Sequence, residues 1–276
     1  MRELLKTDFR RALKDKLLIV LLIIGGAFAL FTPLLYKAIL VSLEVLGGVE
    51  TIESIALALG FNAKSLFYTS FSPANNFGMI LPIFVVIILC RDFSNGTIRN
   101  KIICGKNRRD IFLSMFITCS ALVCALILIH ALLTLFVSLI FFKYQAEPFT
   151  FADFGYLMAS ICFEMVFYIF ISALLSFFVV FMKNAVLSIV MYFVVNIAMT
   201  ILGSITQAVY MFVDPEKTVL RGILEFLNVS NVFTSFSVGS AVYDLKTVLY
   251  LILPSVILSA LLIILGLVFF KKKDLK

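Results

Sequence analysis

A carboxylate at Glu164 and an imidazole at His130 lie inside long apolar stretches, and a dense basic run from Arg91 to Asp110 lies between two others. These are the positions where the chain has the means for chemistry. An acidic side chain about ten residues into an apolar segment costs about 2.5–3.5 kcal/mol near a helix centre, so such groups usually face a cavity or a partner. Two readings of Glu164 stay open: a post on a transport path, or a glutamate that only tunes helix packing. His130 reads as a polar contact between helices. The chain has a single histidine, so Cys119 and Cys124 lack the company a zinc site needs. No Ser/His/Asp set and no paired carboxylates at helical spacing within an apolar segment can be assembled. Gly105-Lys106 is followed by Asn107 and lacks the upstream glycine of a phosphate-binding loop. No enzyme is expected, and no cofactor bound by this chain.

The basic run has internal order. Asn95-Gly96 signals a turn, Ile98, Ile102 and Ile103 are expected on one face of a two-turn helix, and Gly105 can close that helix with a positive φ. Asn107 is expected to cap the apolar segment that follows, and Asp110 to complement its positive end. So short a helix is unstable alone in water and is expected to dock on the membrane surface or on a cytosolic partner. The plainer alternative is a basic loop that only sets topology.

These residues are positioned by a strongly apolar chain, 62% hydrophobic and 14% charged over 276 residues, too apolar for a soluble core to hide. Six spans are expected at Leu17–Leu40, Asn76–Cys90, Ile111–Phe142, Phe154–Met182, Ala185–Val213 and Val248–Phe270, in an all-α integral membrane fold forming one domain. Residues 1–16 read as a basic amphipathic helix lying in the interface, with Leu4, Leu5, Phe9, Ala12 and Leu13 as its apolar stripe. A secretory signal is the rival reading, set aside because apolar residues continue past Ala29 to Leu40. The segments on one side of these spans carry 17 Lys and Arg, those on the other side 6. The positive-inside rule therefore puts both termini in the cytoplasm. The net charge of +7 thus reflects topology, not nucleic-acid binding. Of the two long outer segments, 41–75 mixes apolar and acidic residues. The other, 214–247, is too apolar for a free loop and is expected either to dip back into the membrane or to lie flat on its surface. None of the five cysteines falls in an outer loop, so no disulfide framework is expected.

Asn95-Gly96-Thr97-Ile98-Arg99-Asn100-Lys101-Ile102-Ile103-Cys104-Gly105-Lys106-Asn107-Arg108, set between the second and third spans, resembles the inner loop of type-2 ABC transporter permeases, especially the bacterial antibiotic-peptide and bacteriocin-immunity branch. Gly96, Thr97, Arg99, Lys101, Gly105 and Arg108 fit the pattern. The family's acidic residue at the loop start is displaced to Asp92, and Cys104 stands at a variable position. The resemblance implies a coupling helix seated in a groove of a separate cytosolic ABC ATPase, with Ile98, Arg99, Ile102 and Ile103 in the contact. Leu4, Phe9 and Leu13 would hold the elbow helix at the inner interface. It further implies ATP and Mg on that partner, a second permease subunit, identical or similar, and a bacterial plasma-membrane location. The substrate is expected to be a hydrophobic or amphipathic peptide, antibiotic or lipid-like molecule, with sodium export as an alternative within the family. Outside the family, an ATP-independent channel or proton-coupled carrier using Glu164 remains.

Overall fold

The computed structural model describes residues 1–47, 61–73, 76–145, 148–214, 217–234 and 245–272. Their order is α1 (Arg2–Leu13), α2 (Lys16–Gly47), α3 (Ala63–Ser70), α4 (Asn76–Ser94), α5 (Thr97–Ile103), α6 (Arg108–Phe141), α7 (Phe151–Met182), α8 (Ala185–Phe212), α9 (Thr218–Val229) and α10 (Leu245–Lys272). No strand occurs among the described residues. Six helices (α2, α4, α6, α7, α8 and α10) are long and apolar enough to cross a bilayer. This is a multi-pass α-helical membrane protein, because only helices satisfy their own backbone across lipid in this way.

The helix ends differ from the expected spans for local reasons. The second span runs on to Ser94, past Cys90, because Arg91 and Asp92 do not end the helix in water: both are held by ion pairs from α1 and its exit. The fourth begins at Phe151, three residues early, on a capping box in which the Thr150 side chain accepts from the Asp153 N–H and Asp153 accepts from the Thr150 N–H. The first extends to Gly47 and the third begins at Arg108, while the last covers Leu245–Lys272. The most buried span, α7, packs against α10, α6 and α8 at the centre of the bundle.

Of the segment 214–247, the described residues 217–234 do dip inward. The helix α9 runs back along α8, and beyond it Asn231 Nδ2 donates to the Met199 carbonyl at 2.7 Å. Met199 lies 13 residues before the end of α8, about 20 Å down at 1.5 Å per residue. Val232 and Phe233 are buried there, Phe233 against Phe170 and Tyr192. Residues 235–244, the rest of that expected segment, lie outside the described residues.

A second inward excursion precedes α4. Ala63 and Lys64 bond through their backbone N–H groups to the carbonyls of Lys143 and Tyr144, just past α6. From there α3 descends along α6 until Tyr168 Oη donates to the Phe71 carbonyl and Asn196 Nδ2 to the Pro73 carbonyl at 3.4 Å. Tyr168 is 17 residues into α7, about 25 Å below its start. The start of α4 lies close against Ser72. A Cβ on Gly78 would meet the Ser72 carbonyl oxygen at 2.1 Å, whereas one on Gly26 meets nothing within 4 Å. Gly78→Ala is therefore expected to cost on the order of 2 kcal/mol through a forced backbone shift. Gly26→Ala is expected to be neutral or stabilising by a few tenths, both read as melting temperature in detergent.

Candidate functional site

The basic loop and the first helix form one structure. Behind α5, Asp8 of α1 is 4% exposed, accepting from Lys101 Nζ at 2.7 Å and from Ser114 Oγ of α6 at 2.7 Å. Arg11 donates to Asp92, and Arg91 Nη1 reaches both oxygens of Asp15 at 3.0 and 3.1 Å. These pairs are not equal. Arg91 is about half exposed and such a pair contributes under about 1 kcal/mol. The Asp8–Lys101 pair is nearly buried on both sides, so each charge there depends on the other. Beside this clasp lies a cavity of about 160 Å³ between Asp8, Arg11, Asp15, Asp92, Met115 and Leu122, room for about five waters.

The helix α5 itself is framed by two glycines. Gly96 precedes it at φ +66° and Gly105 follows at φ +77°. Gly105 N–H bonds to the Ile102 carbonyl and Lys106 N–H to the Lys101 carbonyl, a Schellman motif closing the helix. Ile98 is 3% exposed and Ile103 73%, so the three isoleucines do not share a face. At 100° per residue, Ile103 lies about 140° around from Ile98, and Ile102 about 40°. Ile98 and the half-buried Ile102 point into the protein's own core. In this conformation Ile98 is therefore not available to a partner, and Lys101 is committed to Asp8. Asn95, Arg99, Asn100, Ile103 and Gly105 are exposed, and Thr97 is half-buried. Arg108 Nη1 donates to the Lys271 carbonyl at 3.0 Å. Asn107 takes the cap position of α6 but its side chain makes no capping bond.

The stripe expected on α1 is also rotated. Its buried residues are Leu4, Asp8 and Ala12, while Leu13 is 60% exposed. Leu4 thus packs inward, and Leu5, Phe9 and Leu13 form the outward flank. Spacing by four residues places Asp8 between two apolar positions of one stripe, a signal that was present in the sequence and was missed. Of its clasp partners, Asp92 was marked only as the acidic residue at the loop start, and Asp15 carried no mark.

At mid-height, His130 Nδ1 shares a hydrogen bond with the Gly25 carbonyl at 2.9 Å, its ring against Phe77, so it is a satisfied contact between α6 and α2. Glu164 is 5% exposed, and its Oε2 has no hydrogen-bond partner among the described residues. No bond joins it to His130 among the described residues. It sits one turn above Tyr168, which holds the α3–α4 turn.

Fold and site define a membrane protein with a clasped loop helix at one face. The chain belongs to the family described as a protein of unknown function, DUF2705, whose model matches residues 54–276. That match takes in α3 to α10 and leaves α1 and α2 outside. No curated protein matches the chain.

Replacing Asp8 with Ala strands Lys101 and Ser114 and is expected to lower stability by about 3 kcal/mol. Arg91→Ala should cost less than about 1 kcal/mol. Thermal unfolding of the two variants in the same detergent compares them directly.

Proposed function

We propose that the chain is the membrane-spanning permease subunit of an ATP-driven ABC exporter. It moves a hydrophobic or amphipathic substrate, a peptide, antibiotic or lipid-like molecule, out of the cell with a separate ATPase. The observation that supports this reading is α5. A seven-residue helix has no reason to persist alone. Here it is tied from behind by Asp8 and wedged by Ile98, and it presents Arg99, Asn100 and Ile103 outward. That is the arrangement a mechanical coupling element needs: a rigid rear attachment and a free, mixed apolar and basic front. The charge asymmetry supports a cytoplasmic setting for this face in the bacterial plasma membrane.

In this reading ATP and Mg bind the partner, and two permease subunits, identical or paired with a similar chain, enclose the substrate path. Closure of the ATPases on ATP shifts the permease toward its outward state, which requires several kcal/mol of differential binding between the two states. Force on α5 passes through Lys101–Asp8 into α1 and through Ile98 into α4 and α6. One observation favours a second reading, a carrier in which the unpartnered carboxylate oxygen of Glu164 handles protons or cations without an ATPase.

The test uses Ile103→Asp and Arg99→Glu, which change the exposed front and leave Ile98 in the core. Co-purification with the candidate ATPase is expected to fall at least about tenfold, as for interface anchors worth 1.4 kcal/mol or more, with unchanged melting temperature. Retention equal to wild type in both variants would remove the coupling role, and ion flux in liposomes without ATPase would favour the carrier.

A further inference from the structure

A groove of about 860 Å³ opens between the start of α6 and the end of α10, lined by Arg108, Arg109, Asp110, Leu113, Leu267 and Lys271 among others. Its rim carries three cations against one carboxylate. Its deeper walls are Leu113, Ile264, Leu267 and Val268. Ile264 and Val268 are 57% and 44% exposed. The groove is thus graded along the membrane normal, charged at the mouth and apolar about one to two turns further in.

We propose that this groove binds an anionic phospholipid of the adjacent leaflet, its phosphate on Arg109 and Lys271 and its acyl chains along Ile264, Leu267 and Val268. The mouth alone would suit any anion. The walls select among them. A water occupies about 30 Å³, so the space far exceeds what an inorganic ion fills. The apolar lining runs from about 6 Å (Val268) to about 12 Å (Ile264) from the helix ends, past a headgroup layer of about 5–8 Å, where acyl chains reach and a protein docked at the membrane surface does not. The charge sign also matches, because basic pockets between spanning helices are where acidic headgroups collect. At the mouth, the first turn of α6 has no side-chain cap, so its N-terminal end adds positive potential toward the same phosphate. Arg108 contributes by fixing the groove: its bond to the Lys271 carbonyl spans the two helices. The proposal needs only that the chain spans a membrane, and it stands or falls separately from the ATPase reading.

The experiment titrates the purified full chain in phosphatidylcholine nanodiscs with phosphatidylglycerol, reading melting temperature and lipids retained by native mass spectrometry. Wild type is compared with Arg109→Gln/Lys271→Gln and with Lys14→Gln, an exposed cation on the same side outside the groove. Both groove residues are exposed, and the melting temperature without phosphatidylglycerol checks that the double variant folds. Wild type and Lys14→Gln are expected to retain phosphatidylglycerol over phosphatidylcholine, and the double variant to bind it about tenfold more weakly. Equal retention of the two lipids by wild type would overturn the proposal. So would an equal loss in Lys14→Gln, or a full thermal shift produced by inorganic phosphate alone. Loss of ATPase retention in the double variant, with lipid binding intact, would assign the groove to the protein partner instead.

Discussion

A polar group taken out of water must find its replacement partner within the protein, at a penalty of several kcal/mol if it does not. In so apolar a chain this requirement organises nearly everything that is not a plain spanning helix. Both inward excursions obey it. The turn after α3 is held by Tyr168 and Asn196, and the turn after α9 by Asn231 on the Met199 carbonyl. Backbone at that depth is bonded by side chains of α7 and α8 at the first turn and at the second by the segment's own Asn231, which also accepts from the Phe233 N–H. The same requirement acts at the loop face, where Asp8 is buried against Lys101 and Ser114.

The clasp connects sequence-distant pieces. Asp8 and Lys101 are 93 residues apart and Asp8 and Ser114 are 106 apart, yet together they fix α1, α5 and α6 as one corner. Under the proposed function, rigidity at this corner would let a protein docked on the exposed front of α5 move α1 and α6 with it, where a free loop would move alone. The central Glu164 is different in kind. It is buried with one oxygen unpartnered and carries no structural duty visible among its neighbours.

Much of this was legible in the sequence, for reasons that separate cleanly. Six long apolar runs are strong, local signals, and all six helices formed. Gly105 was legible because only a positive φ closes the helix there. Rotation was not legible. The stripes on α1 and α5 were both read from apolar residues alone, so Leu13 was grouped with Leu4 and Ile103 with Ile98 on one face each, and Asp8 was given no place. The structure splits both faces, burying Leu4 and Ile98 and exposing Leu13 and Ile103, because a buried ion pair such as Asp8–Lys101 can occupy a core position that hydrophobic patterning reserves for leucine. The Thr150–Asp153 capping box was readable, and neglecting it placed the fourth span three residues late. The α3 excursion was hidden for another reason: its anchors, Tyr168 and Asn196, lie about 100 and 120 residues further on, and nothing local to Phe71–Pro73 announces them.

The most direct measurement uses the native thiol next to α5. Cys104 is exposed and adjoins the outward face that includes Ile103. In a variant retaining only that cysteine, a membrane-impermeant maleimide should label Cys104 in inverted vesicles and not in right-side-out cells. Adding the candidate ATPase should protect it. Labelling from outside the cell would contradict the orientation, and undiminished labelling in the presence of bound ATPase would contradict α5 as its docking element.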